Sequence, residues 1–336
     1  MFRLLLAVLL SLLAAAPAAA KPFVAILADS RGTVATDLLA PYAILAESGA
    51  VEVKVVARDR AAVRLTPGYA WVRPQMTLAE LARHRPDVII VPALEVEDDP
   101  ATAAWLRGQL AAGARVMSIC NGARVLAKAG LLEGRQATVH WFSVGRLKKS
   151  HPNVRWRQDR RWVTDGPITT TAGISAGEPA TLALLAELAG EPVMRATAAR
   201  MGQPLPDPRH DGTRYRLTLG GMVTTVLNRA QFWAQEDVAI PLAPGFDELA
   251  LGTAIDAWSR TYRSTGWAVG PAGVTSRHGL QVFSARGLPE RFDRRVALPG
   301  PDVMARTLAA VGRAYGRATG RFVALQFEHP AGALEA

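Results

Sequence analysis

Through residue 200 the chain alternates short apolar runs with stretches of helical periodicity, and this alternation constrains the fold more than any other feature. Phe23–Leu27 is a short apolar run and reads as a buried strand. Residues 37–47 then repeat Leu38, Leu39, Tyr42 and Leu45 at helical spacing. Residues 51–56, 87–92 and 115–119 read as further buried strands, and 77–83, 100–112 and 122–129 as helices. Short strands at 137–140 and 162–164 flank a polar stretch, 168–172 is another strand, and 178–189 is an apolar helix. Strands that alternate with helices call for a parallel sheet covered on both faces. Ligands in such sheets bind beyond the carboxyl ends of the strands, and Cys120 stands at one of those ends.

The size fits this reading. With 336 residues, 49% hydrophobic and 20% charged, the chain buries an ample core, which excludes disorder and a small stapled scaffold. Its one cysteine excludes an internal disulfide and a cysteine-based metal site within one chain. The six histidines show no metal spacing, and Ser30-Arg31-Gly32-Thr33 after the first strand is too short for a phosphate-binding fingerprint. No metal and no cofactor is expected.

The first twenty residues read as a cleaved secretory signal. Arg3 opens a positive start, residues 4–13 are an apolar run broken by Ser11, and Ala18-Ala19-Ala20 precedes Lys21 as a peptidase site. The run is shorter than the roughly 20 residues a spanning helix needs. The expected location is the periplasm or outside the cell, with no membrane attachment after cleavage. The formal charge of +10 raises nucleic acid or an anionic surface as a partner. Lys148, Lys149, Arg155, Arg157, Arg160 and Arg161, with Trp156 among them, read as a solvated hairpin, because an exported protein meets no chromosome. The acidic loop of Glu95, Glu97, Asp98 and Asp99 likewise reads as solvated, with a pocket lid as the alternative.

The mature chain divides into a first domain at 21–200, a Pro/Gly/Asp-rich linker at 201–235 and a truncated second α/β repeat at 236–336. Val238-Ala239-Ile240 and the helix after it parallel Val24-Ala25-Ile26 and its helix. Residues 274–276 and 279–282 parallel 64–66 and 69–72, and 296–299 parallel 89–92. Residues 322–327 are expected to be the strand corresponding to 116–120, with Gln326-Phe327-Glu328 where the first half has Ser118-Ile119-Cys120. The second copy thus carries no thiol and is expected to pack against the first, an unrelated α/β cap being the alternative.

Residues 115–119 run straight into Cys120, Asn121 and Gly122 and then a helix, the strand–turn–helix pattern of a nucleophile elbow. A residue at such a turn is strained, with its side chain presented outward. Gly122 removes a Cβ that would clash as the helix turns back on the sheet. The first helical N–H groups are expected to favour the thiolate, lowering its pKa, and to hold an oxyanion. A cysteine that only packs is the alternative.

Ser118-Ile119-Cys120-Asn121-Gly122-Ala123, the run Leu126-Ala127-Lys128-Ala129-Gly130-Leu131-Leu132-Glu133-Gly134-Arg135, and then Ala137-Thr138 and His140-Trp141 resemble the ThiJ/PfpI family of the class I glutamine amidotransferase-like superfamily. Thr170-Thr171-Ala172-Gly173-Ile174-Ser175-Ala176-Gly177 and Thr36-Asp37-Leu38-Leu39-Ala40-Pro41-Tyr42 extend the likeness over residues 23–200. The nearest branch holds the isocyanide hydratases and the amidase-like domains of GlxA-type regulators. The resemblance implies a flavodoxin-like parallel sheet sandwiched by helices, with Cys120 as nucleophile. It implies Asp37 as an acid/base beside the thiol, although Asp also suits a helix N-cap. His140 would be a proton carrier or a structural residue. Asn121 and Gly122, with Ala93 and Leu94 after the third strand, would form the substrate and oxyanion pocket. Asn121 stands where hydrolytic members carry histidine, and Pro92-Ala93-Leu94 replaces the family's Pro-Gly-Gly.

The function expected is hydration or hydrolysis of a small isocyanide- or amide-like electrophile by Cys120. Other readings stay open: a small-molecule-binding or oxidant-sensing module, or the sensory domain of a GlxA-like regulator without its DNA-binding part. The partner expected is a small molecule, not nucleic acid. Relatives often pair, so a homodimer or an intramolecular pseudo-dimer is expected.

Overall fold

Apolar runs flanked by turn residues become the strands of a seven-stranded sheet. The computed structural model describes residues 20–285 and 287–334; all but the last residue of the expected signal lie outside them. The strands are Phe23–Leu27 (β1), Glu52–Ala57 (β2), Met76–Thr77 (β3), Val88–Val91 (β4), Arg115–Ser118 (β5), Trp162–Asp165 (β6) and Ile168–Thr171 (β7). Their order is β6-β7-β5-β4-β1-β2-β3, and only β6 runs antiparallel to its neighbour. Val24, Ala25, Ile26 and all of β4 are buried, as a parallel sheet covered on both faces requires. The covering helices of this half are Ala35–Ser48 (α1), Leu78–Leu81 (α2), Pro100–Ala111 (α3), Gly122–Lys128 (α4), Trp141–Ser150 (α5), Gly177–Ala189 (α6) and Glu191–Met201 (α7). Local chemistry sets their starts: Thr77 and Glu80 form a capping box on α2, and Asp99 caps α3 through the Thr102 N–H.

Beyond residue 201 come the helices Leu219–Ala230 (α8), Glu248–Ser259 (α9), Val303–Tyr315 (α10) and Arg317–Gln326 (α11). The strands Glu236–Pro241 (β8), Ser264–Val269 (β9) and Arg294–Arg295 (β10) form a parallel sheet in the order β9-β8-β10. This repeats the first half, where β1 also lies between the strand after its helix and the third strand. The two halves are joined through a second sheet. In it 281–283 pairs with 70–72, Val282 opposite Val72. The helices α1 and α9, each following a central strand, pack together. A Cβ on Gly252 would lie 3.1 Å from the Ala35 carbonyl oxygen, so glycine allows the close approach. The core runs through the joint: Leu38, Leu39, Tyr42, Leu251, Ile255 and Trp258 belong to one buried cluster.

Four expectations need correction. Residues 137–140 are strand only at Gln136–Ala137, and α5 follows directly, so the basic stretch is not a hairpin. His140 caps α5, and Lys148 and Lys149 sit in its last turn, where the helix end favours positive charge. The expected linker contains α8. The third strand of the second half falls at Arg294–Arg295, just before 296–299. Residues 322–326 are helical, in α11 with Phe327 as its C-cap, rather than a strand. With only two residues, β10 offers too short an edge for another strand. Thr319, Phe322 and Val323 are buried at helical spacing instead, and Gly320 lets α11 fold back closely on Gly312 of α10.

His278 ties the halves together. Its Nδ1 lies 2.9 Å from Glu248 Oε2 on α9, and its Nε2 lies 3.1 Å from Glu47 Oε2 on α1. Burial opposes the charged ring, but the two carboxylates outweigh it and raise the histidine above its ordinary value. A raised histidine contributes stability that is fully present below its unfolded value, about 6.5, and is lost as pH rises through the folded value. We expect the urea midpoint to fall as pH is raised above about 6.5, and this fall to vanish in His278→Gln. An equal fall in the variant would remove His278 as its source.

Candidate active site

Cys120 follows β5 and precedes α4 with φ of 55°, the left-handed region that a β-carbon disfavours. Such strain persists only where neighbours hold it. Here Ile119 N–H donates to the Val91 carbonyl at 3.0 Å, Cys120 N–H donates to Thr171 Oγ1 at 3.0 Å, and Gly122 N–H donates to the Ile119 carbonyl at 2.8 Å. A Cβ on Gly122 would stand 2.1 Å from the Val91 carbonyl oxygen. Glycine is therefore required for α4 to begin against the end of β4.

The thiol is 3% exposed, so it is not presented outward as the elbow pattern led one to expect. It lines a cavity of about 400 Å³ instead. Asn121, His140 and Ala93 of the first half share that wall with Leu217, Arg260 and Tyr262 of the second. Asp37 adjoins the thiol closely enough that each shifts the other's titration. Its Oδ2 accepts the Ala93 N–H at 3.1 Å, whereas its buried Oδ1 has no hydrogen-bond partner among the described residues. Asp37 is not the N-cap of α1, a place taken by Val34.

The electrostatics also differ from expectation. Burial, then the charge of Asp37, pushes the thiol well above its ordinary value, although Arg260 and the Asn121 N–H favour the thiolate. The expected lowering is thus overturned by desolvation. Burial, then Asp256, likewise pushes Asp37 well above the usual carboxylate range. Burial thus disfavours the charged form of both groups. Arg260 Nε donates to Asp256 Oδ1 at 2.7 Å, and Asp256 Oδ2 accepts the Thr36 N–H at 3.2 Å, so α9 brings an ion pair to the start of α1.

His140 lines the cavity, but both ring nitrogens are engaged. Nδ1 accepts the Phe142 N–H at 3.2 Å, and Nε2 donates to the Gln326 carbonyl at 2.8 Å. Burial holds the ring below its ordinary value, hence neutral. Asn121 Oδ1 accepts from Ser143 Oγ at 2.7 Å. The Ala93 N–H is held by Asp37 rather than free for an oxyanion, and buried Leu94 is not in the cavity wall. Gly122 acts through packing behind Cys120.

Sequence reasoning missed Asp256, Arg260 and Glu328. The buried Glu328 accepts the Gly173 N–H at 2.8 Å and the Trp141 N–H, and lies 3.1 Å from His210 Nε2. The one local signal was two charges four residues apart, Asp256 in α9 and Arg260 at its C-cap, after a run from Leu249 to Ile255 without charge.

The model of the DJ-1/PfpI family matches residues 23–187. Isonitrile hydratase of Pseudomonas putida is 34% identical over 164 residues, 46% of this chain and 67% of that protein. The HTH-type transcriptional regulator GlxA of Rhizobium meliloti is 39% identical over 93 residues, 28% of each chain. Among solved structures, Drosophila melanogaster DJ-1beta superposes with a TM-score of 0.50 at 21% identity, covering 55% of this chain and all of that one. That likeness speaks to the fold alone. With two thirds of the isonitrile hydratase covered at this identity, the chain belongs to the DJ-1/PfpI family.

Proposed function

We propose that the protein hydrates a small isocyanide-like electrophile, with Cys120 as nucleophile and Asp37 as the proton relay. The observation that carries this reading is the pairing of a strained, cavity-lining Cys120 with Asp37, whose Oδ1 is unengaged. Burial that disfavours charge on both groups suits a neutral substrate. Sulfur bonds to the terminal carbon of R–N≡C while Asp37 gives that carbon its proton and takes the thiol proton. The product of this step is the thioimidate R–N=CH–S–Cys120, and Asp37 is again protonated. Water then adds to the C=N carbon, the C–S bond breaks, and R–NH–CHO leaves with the thiol restored. Arg260 lies where it offsets negative charge on sulfur, since it already favours the thiolate. His140 has no free nitrogen in this scheme and acts as a structural residue. The raised thiol also disfavours peroxide sensing, which needs a low-pKa, accessible sulfur. Action in the periplasm or outside the cell is part of the proposal and rests on the sequence of residues 1–20.

The test is production of N-formamide from short alkyl isocyanides. Turnover by the wild-type protein supports the proposal. Its absence across a series of such substrates would overturn the isocyanide reading.

A further inference from the structure

The helix α8 is folded with its apolar face outward. Leu219, Met222, Val223, Val226 and Leu227 recur at the i, i+3, i+4, i+7, i+8 spacing of one face, and each is 44% exposed or more. Phe232 and Trp233 follow at the helix end, 76% and 74% exposed. The opposite face is fixed to the body. Buried Asn228 donates through Nδ2 to the Thr261 carbonyl at 2.8 Å and to Thr319 Oγ1 at 3.1 Å, so the helix cannot roll its apolar face inward without breaking both bonds. A contiguous exposed patch of this kind marks an interaction surface.

The charge beside the patch selects the partner. Between residues 212 and 235 the chain carries Arg214, Arg216 and Arg229, all exposed, and no acidic residue. An amphipathic helix with apolar residues outward, an aromatic pair at its end and arginines as the charges of its own segment fits an anionic phospholipid bilayer. A second copy fits less well, because a two-fold contact through this face would set the arginines of the segment against each other with no acid from residues 212–235 to pair them. Among the described residues no helix is long and apolar enough to cross a membrane, but lying on one makes no such demand. We infer that the α8 face, with Phe232 and Trp233, docks the protein on an anionic bilayer. The cavity holding Cys120 is lined by Leu217 and Thr225 from this segment, so docking places the bilayer on the outer side of an element that walls that cavity.

The test is co-sedimentation of the protein beginning at Lys21, the product of the expected signal cleavage. Vesicles of phosphatidylcholine with phosphatidylglycerol are compared with phosphatidylcholine alone. Binding to the anionic vesicles is expected to be stronger on the order of tenfold or more, and to fall about fivefold in each of Arg216→Ala and Arg229→Ala. Val226→Asp and Trp233→Asp, at exposed positions, are expected to melt like wild type and to lose binding. Equal binding to both vesicles, or binding retained by the aspartate variants, would overturn the inference. So would a solution dimer that Val226→Asp splits, since a second copy would then cover the face.

Discussion

Replacing Cys120 by serine is expected to lower isocyanide hydration by about 10³-fold or more, because the nucleophile acts as one unit with its acid and cannot be removed in part. Fold should be retained, since the hydroxyl is smaller than the thiol and the turn is held by backbone groups of Ile119, Cys120 and Gly122. Asp37→Asn should cost on the order of 10²–10⁴-fold through the loss of the proton relay. The amide can still accept the Ala93 N–H, so the shape of the site is kept and the loss should fall on kcat. Substrate turnover by both variants within a few fold of wild type would remove this pair from the chemistry.

Gly122→Ala is expected to be the most disruptive single methyl in the first half. Its Cβ would lie 2.1 Å from the Val91 carbonyl oxygen and 3.0 Å from that of Pro92, both backbone atoms that cannot swing aside. Either α4 lifts from β4 or the end of β4 moves, and both displace Cys120. The cost should reach about 3 kcal/mol, the upper part of the range for overpacking. It is measurable as a lowered urea midpoint together with lost turnover. A variant as stable as wild type would mean that the elbow is not built on this contact.

The first half was legible because its central strands β1 and β4 are apolar on both faces and the elements are punctuated by caps and glycines, so period and length agree. Cys120, Asn121 and Gly122 could be placed for the same reason: strand, turn and helix are contiguous. Residues 322–327 were not legible, because a short run with five apolar residues in six fits a strand or a helix equally and a partner edge decides between them. The absence of a long edge at Arg294–Arg295 is a tertiary fact. The far wall of the cavity was hidden for a related reason. Arg260 lies 140 positions beyond Cys120, and only the packing of α9 on α1 brings its charge to the thiol. The direction of the thiol shift also needed the structure, because a helix start favours the thiolate while burial opposes it, and only the surroundings say which wins.

The most direct test of the Cys120–Asp37 account is a rapid-quench mass measurement on the wild-type protein mixed with a short alkyl isocyanide. Net addition of S–H across the isocyanide carbon predicts a transient gain equal to the whole substrate mass, on the peptide carrying Cys120, decaying as N-formamide accumulates. N-formamide released while Cys120 stays unmodified, or formed equally by Cys120→Ser, would contradict it.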